Sequence, residues 1–151
     1  GTDESPMDVF ATYLQNAFSS LKGLKIEMVA TTKQDRIYNK QKKGDFDLSV
    51  TRWGPDYGDP TTYLTLALTD NNNNYGHWSN AEYDSIMGKV SSETDANARW
   101  QLMINAEKVL MDDLGYIPVF EKGTATLQNT KVKNLGIKPV GVPYTFEYVS
   151  K

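Results

Sequence analysis

The stretch FDLSVTRWGPDYGDPTTYLTLAL, from Phe46 to Leu68, decides the fold and carries most of the distinctive chemistry of this chain. Its apolar beginning predicts a β-strand. The strand runs into Arg52 and Trp53, after which two breaks rich in glycine and proline enclose Asp56 and Tyr57. Because α/β folds place their ligands in loops at strand ends, the pattern predicts a binding loop.

Upstream of this loop, helix and strand patterns alternate. We predict helix, strand, helix and strand over residues 6–21, 24–30, 33–43 and 46–51. Ser5 and the Thr31-Thr32 pair are expected to cap the two helices, and Gly44 to end the second. This alternation is typical of α/β folds with helical crossovers between parallel strands.

Downstream of the loop, the pattern predicts more helix and then an extended tail. A short apolar helix or turn should cover residues 61–68, and amphipathic helices should cover residues 81–91 and 95–114. Between them, residues 70–74 (DNNNN) read as a polar surface loop. Strands or extended segments are predicted over residues 116–121, 124–128, 132–136 and 145–149. With no linker long enough to divide the chain, we expect one domain over residues 1–151.

Composition excludes several classes of function. The net charge is −3 without a broad basic field, which disfavours nucleic-acid binding. The absence of cysteine removes thiol catalysis, cysteine-ligated metals and disulfides. His77 is the only histidine, and no G-x-S-x-G, phosphate-binding or EF-hand motif accompanies it. We therefore expect no catalytic residues, no metal site and no cofactor, which argues against a hydrolase or other enzyme.

The group Trp53, Asp56 and Tyr57 has two interpretations. A carboxylate in a rigid loop beside aromatic rings suits a cationic ligand, through ion pairing and cation–π attraction. Alternatively, Asp56 and Asp59 cap the turn and the short helix, with Trp53 in the core. The residues alone leave both interpretations open.

Several motifs extend the pattern beyond the loop. F-D-L-S-V-T-R-W-G-P-D-Y-G-D-P-T-T-Y-L is followed by HW-S-N-x-x-Y-D at a helix start. R-W-x-L-x-x-x-A-E-x-x-L then spans residues 99–110, and Y-I-P-V-F spans residues 116–120. In order and spacing, this set resembles the oligopeptide-binding proteins of bacterial ABC importers, of the dipeptide, oligopeptide and nickel cluster.

The resemblance implies a periplasmic-binding-protein-like lobe in the α/β class, with a mixed sheet flanked by helices. Residues 1–151 would form the C-terminal lobe fragment of a larger two-lobed solute-binding protein. The expected partners are a peptide ligand, the N-terminal lobe of the same protein and the membrane permease. We expect a monomeric, extracytoplasmic protein that is anchored to the membrane as a lipoprotein, with the anchor outside this stretch. The alternatives are a peptide pheromone or signalling receptor, or a receptor for nickel or a sugar.

The resemblance also implies roles for individual residues. Asp56 holds the position of the aspartate that pairs with the α-amino group of the peptide, three residues after Trp53. Tyr57, Arg52 and His77 are further candidates for the cleft, together with that tryptophan. Some relatives carry an arginine for the peptide carboxylate where this chain has Val50, so no carboxylate clamp is expected.

Overall fold

The computed structural model describes residue 3, residues 6–121 and residues 123–151. The chain divides into two compact units, one of Gly1–Arg52 with Tyr75–His77 and one of Trp53–Asn74 with Trp78–Lys151. Because compact units can belong to one folding domain, the single-domain expectation stays a prediction. The proposed cap at Ser5 lies outside the described residues. Over the described ranges, no helix has the length and apolar content to cross a membrane.

The first unit begins with helix α1, Met7–Phe18. It starts directly after Pro6, whose carbonyl accepts a hydrogen bond from the Phe10 amide at 3.0 Å. This confirms the predicted first helix, although it ends earlier than expected. Gly23, where the chain turns away, has φ +85°, a conformation that glycine adopts without strain.

A second helical segment in this unit changes its winding along its length. It runs from α2, Lys33–Asp35, through a π turn, Arg36–Lys40, into a 3-10 turn, Gln41–Lys43. The Thr32 hydroxyl caps the first turn, and Gly44 ends the last with φ +67°. The predicted helix over residues 33–43 is therefore confirmed, together with its cap and its stop.

The sheet is smaller than the strand patterns predict. Within the part of the chain that the structure describes, the only sheet pairs β1, Gly136–Ile137, with β2, Tyr144–Thr145, in antiparallel register. The strand predictions for four segments are wrong here, because these lie outside any sheet: residues 24–30, 46–51, 116–121 and 124–128. Alternating apolar residues favour a strand, but a strand forms only when a second segment pairs with its backbone.

The second unit contains α5, the longest helix among the described residues. Helix α3, Thr61–Leu64, continues as a 3-10 turn, Thr65–Ala67, and is followed by α4, Ala81–Ser92, and α5, Ala96–Asp112. Asn80 caps α4 by accepting hydrogen bonds from two amides of its first turn. The helices predicted over residues 61–68, 81–91 and 95–114 are confirmed, with ends within two residues.

One hydrophobic core joins α3, α4 and α5. It consists of Leu64, Ala67, Tyr83, Met87, Val90, Met103, Ala106 and Leu110. Residues 83, 87 and 90 share one face of α4, and residues 103, 106 and 110 share one face of α5, as three- and four-residue spacing requires. The Tyr83 side chain is fully buried and donates a hydrogen bond to the Leu64 carbonyl at 2.6 Å. Burial raises the pKa of Tyr83 well above its usual range.

The asparagine run between α3 and α4 is not simply a surface loop. Asn74 is buried, and its amide nitrogen donates to the carbonyls of Leu68 at 3.2 Å and Trp78 at 2.7 Å. The surface-loop prediction is therefore wrong for this residue. Asn74 ties the two ends of the connection together, and a buried amide holds such a link because its N–H groups must find acceptors.

Candidate functional site

Asp59 shapes the end of the candidate binding loop. One carboxylate oxygen of Asp59 accepts hydrogen bonds from the Thr61 backbone amide at 3.0 Å and from the Thr61 hydroxyl at 2.6 Å. Aspartate makes such turns readily, because its short side chain reaches the backbone two residues on. The turn leads the chain into α3.

The same carboxylate is bound by an arginine from a distant part of the sequence. The Arg99 guanidinium, on the first turn of α5, donates to Asp59 through Nη1 at 2.7 Å and Nη2 at 3.0 Å. The two side chains are 30% and 31% exposed, so the pair is largely shielded from water. Arg99 and Thr61 together hold the pKa of Asp59 far below its usual range, and Asp59 raises the pKa of Arg99.

Asp56 is placed differently from Asp59. Its backbone amide donates to the hydroxyl of Thr62 at 2.9 Å, and Thr62 is 4% exposed, which fixes the main chain of the loop. Its side chain is exposed. Among the residues that the structure describes, no group donates a hydrogen bond to the Asp56 carboxylate or forms an ion pair with it.

Two aromatic rings lie in the same loop. Trp53 is 38% exposed and Tyr57 is 47% exposed, so neither ring is part of the hydrophobic core. The Tyr57 hydroxyl lies 3.2 Å from the Thr61 hydroxyl, which ties this ring to the turn at Asp59. The interpretation of Trp53 as a core residue is therefore wrong.

Arg52 and His77, the other two candidates, belong to the first unit. His77 has φ +52° and its Nε2 lies 3.0 Å from the Gln41 carbonyl oxygen. Because a carbonyl can only accept, Nε2 carries the proton in this contact. The imidazole therefore has a structural contact of its own. Arg52 is exposed at the border of its unit.

The two interpretations of the loop thus divide between its two aspartates. Asp59 performs the capping and ion pairing that stabilise the turn. Asp56 leaves an exposed carboxylate in the same loop as two half-exposed aromatic rings, a combination that suits an ammonium group. Over the described ranges, acidic residues and histidine form no cluster that could hold a metal ion.

The sequence reasoning missed Arg99 and Thr62 as parts of this site. Arg99 is 40 residues from its partner, so no local spacing indicates the pair. It does open the R-W-x-L motif, and that was the one available signal. Thr62 is buried next to the loop, but a threonine in a short helix has no pattern that separates it from an ordinary helical residue.

Comparison with known proteins gives one family match and many relatives. Residues 1–75 match the model described as bacterial extracellular solute-binding proteins, family 5 Middle. The dipeptide-binding protein DppE of Bacillus subtilis is 31% identical over 131 residues, which is 87% of this chain and 24% of that protein. The chain thus spans about a quarter of the length of the curated relatives it matches.

Solved structures agree with the sequence matches. OppA of Listeria monocytogenes bound to peptide is 33% identical, with a TM-score of 0.77 over 94% of this chain and 27% of that one. The pheromone receptor PrgZ, described with its mode of peptide binding, is 32% identical, with a TM-score of 0.75 over 93% of this chain and 27% of that one.

Proposed function

Because this chain belongs to the family 5 bacterial extracellular solute-binding proteins, we propose that it forms the peptide-binding C-terminal lobe of a receptor for an ABC importer. The receptor would capture peptides in a cleft between two lobes and deliver them to the permease. The family also confirms the predicted fold class, since the similar solved structures are solute-binding proteins of this kind.

The observation that carries the proposal is the available carboxylate of Asp56. Asp59 in the same loop already has Arg99 and Thr61 as partners, whereas the Asp56 side chain is exposed. A peptide with a free amino terminus supplies the missing cation, and every such peptide does so whatever its side chains are. Trp53 and Tyr57 would line the wall beside that amino group. Arg52 and His77, which belong to the first unit, stay candidates through the family resemblance alone.

A peptide explains this loop better than nickel or a sugar does. An ammonium group can pair with one carboxylate and also contact aromatic rings, which would use the exposed side chains of Asp56, Trp53 and Tyr57 together. A neutral sugar needs no charge partner. We therefore expect a ligand held through its terminus and backbone, with side chains in roomy, hydrated pockets.

A signalling receptor is the second candidate. The similarity to the pheromone receptor PrgZ, 32% identical, supports it about as well as the similarity to OppA supports import. Both functions need the same capture of a peptide, so the loop fits either. Uptake of a labelled peptide by cells, with and without the gene, distinguishes them: import predicts accumulation that depends on the gene.

The proposal also covers the location, membrane anchor, oligomeric state and partners of the receptor. The receptor would lie outside the cytoplasm, be held at the membrane by a lipid anchor and act as a monomer. It would carry out no reaction, need no cofactor and bind no nucleic acid. The second partner of this lobe would be the N-terminal lobe of the same protein.

Mass spectrometry of the full-length protein tests the proposal. The protein is purified without added ligand and denatured, and the released small molecules are identified. We expect a mixture of short peptides with free amino termini. The purified protein should also retain synthetic hexapeptides in preference to their N-acetylated forms. A protein that releases no peptide and retains neither form would refute a peptide-binding function.

A further inference from the structure

We propose that Arg99 is a positioning residue for ligand binding: its bridge to Asp59 fixes the turn that holds Asp56 in place. The inference rests on the proposed function, because it assigns a task to a residue that would not touch the ligand. It concerns the second unit alone, since the loop, α3 and the first turn of α5 all belong to it.

Contacts on both sides hold the loop in one conformation. At its far end, Asp59 accepts from Thr61 and from both terminal nitrogens of Arg99. Nearer its middle, the Asp56 amide is held by the hydroxyl of Thr62, a buried residue. Thr61 and Thr62 are adjacent, so the bridge at Asp59 and the contact at Asp56 act on the same turn of α3.

The bridge has the geometry of a rigid contact. Two parallel N–H···O bonds between a guanidinium and a carboxylate fix orientation as well as distance. A lysine ammonium would keep the charge but act as a compact point charge that does not fix the carboxylate plane. Arg99 projects from α5, and α5 is itself held in place because its Met103, Ala106 and Leu110 are buried in the core. Arg99 therefore ties the loop to a helix that contributes three residues to the core of its unit.

This arrangement matters for binding because an anchor that is fixed before the ligand arrives loses less freedom on association. With the bridge broken, the turn keeps its hydrogen bonds to Thr61 but loses its connection to α5. The Asp56 carboxylate would then sample more orientations, and the ammonium of the ligand would meet it less often in a bonding geometry. The predicted loss falls on recognition of the amino group.

The test compares two pools of random hexapeptides, one with free amino termini and one N-acetylated, retained by the full-length protein and counted by mass spectrometry. The readout is the ratio between the two pools. A general loss of folding lowers retention of both pools, whereas misplacement of Asp56 lowers the ratio. We expect Arg99→Gln to lower the ratio of free-amine to acetylated peptides at least about threefold. The complete loss of one charge-assisted hydrogen bond would cause a larger change. Arg99→Lys should restore part of it.

Lys108→Gln is the matched control, because it also removes a cation and an ion pair from α5. The Lys108–Asp112 pair is highly exposed, with side chains 71% and 66% accessible. This variant should keep the wild-type ratio. A wild-type ratio in Arg99→Gln, with α5 protected from hydrogen exchange as in the wild type, would overturn the inference and leave the proposed function standing. A wild-type protein that retains neither pool would overturn both.

Discussion

Replacing Asp56 by asparagine removes one negative charge from the candidate loop and almost nothing else. The side chains have the same size, and the backbone amide of residue 56 keeps its hydrogen bond to Thr62. In the described part of the chain the carboxylate has no partner to lose. We therefore expect the free energy of unfolding to change by no more than about 0.5 kcal/mol, as for ordinary surface positions.

Peptide affinity should respond much more strongly than stability. A carboxylate and an ammonium about 4 Å apart attract each other by about 4 kcal/mol at an effective dielectric constant of about 20. Desolvation of both groups and the neutral hydrogen bond that asparagine retains offset part of this. If about a third of the attraction survives, affinity falls about tenfold, which corresponds to about 1.4 kcal/mol. At least a tenfold loss is expected for peptides with free amino termini.

Titration calorimetry with the full-length protein measures this effect, using one hexapeptide chosen from those that co-purify and its N-acetylated form. Asp70→Asn provides the control, because Asp70 is an exposed aspartate in the same unit and makes the same change of charge. Asp56→Asn should weaken only the free-amine peptide, and Asp70→Asn should weaken neither. Equal affinity of wild type and Asp56→Asn for the free-amine peptide would refute the assignment of this residue.

Four further substitutions should change the stability of the second unit, which is followed by hydrogen exchange of its helices in the full-length protein. Tyr83→Phe removes the buried hydrogen bond to the Leu64 carbonyl and should cost about 1–3 kcal/mol; unchanged protection of α4 would contradict this. Gly115→Ala would place a methyl group 2.7 Å from a leucine side chain and should destabilise by about 1–3 kcal/mol. Gly88 has open space where the added methyl group would lie, so Gly88→Ala should stabilise α4 by about 0.5–1 kcal/mol. If both glycine substitutions changed stability in the same direction, the close packing at Gly115 would be contradicted. Asp59→Asn should be less stable than wild type at pH 7, and the difference should shrink below about pH 4, where the unfolded aspartate binds a proton while the folded one stays ionised. A difference that grows on acidification would contradict the role of the Arg99 partner.

The helices could be predicted because their signals are local. Asn80 stands directly before α4, Gly44 directly after the turn that it ends, and the buried positions 83, 87 and 90 recur at helical spacing. A helix satisfies its backbone hydrogen bonds within one stretch of sequence, so a short window holds most of the information. This is why predicted and observed helix ends differ by only a few residues.

The strands could not be placed in the same way, because strand pairing is not local. Residues 46–51 carry an apolar pattern, yet in this structure they lie outside any sheet. The pattern gives a preference for one face, and the partner that would complete the hydrogen bonds has no signature in the segment itself. The pairing of Gly136 with Thr145 could not be predicted either, because nothing in either short segment indicates which other segment it pairs with.

The sequence predicts which loop forms the candidate site, but it does not predict which of the two aspartates caps the turn and which is left for a ligand. The sequence places two aspartates three residues apart in one loop, and either could cap the turn or face a ligand. Only the position of Arg99 decides between them. Its guanidinium occupies both oxygens of Asp59 and leaves those of Asp56 to other partners.

This division has a physical logic for a receptor that takes ligands of varied sequence. A ligand amine that paired with Asp59 would have to displace a bidentate arginine, and the exchange would return little free energy. The Asp56 carboxylate has no ion-pair partner among the described residues, so an amine that bound there would have no such pair to displace. On this proposal the loop uses two carboxylates: Asp59, bound to Arg99 of α5, gives the turn a fixed shape, and Asp56 would hold the ammonium group, the one cation that all peptides with a free amino terminus share.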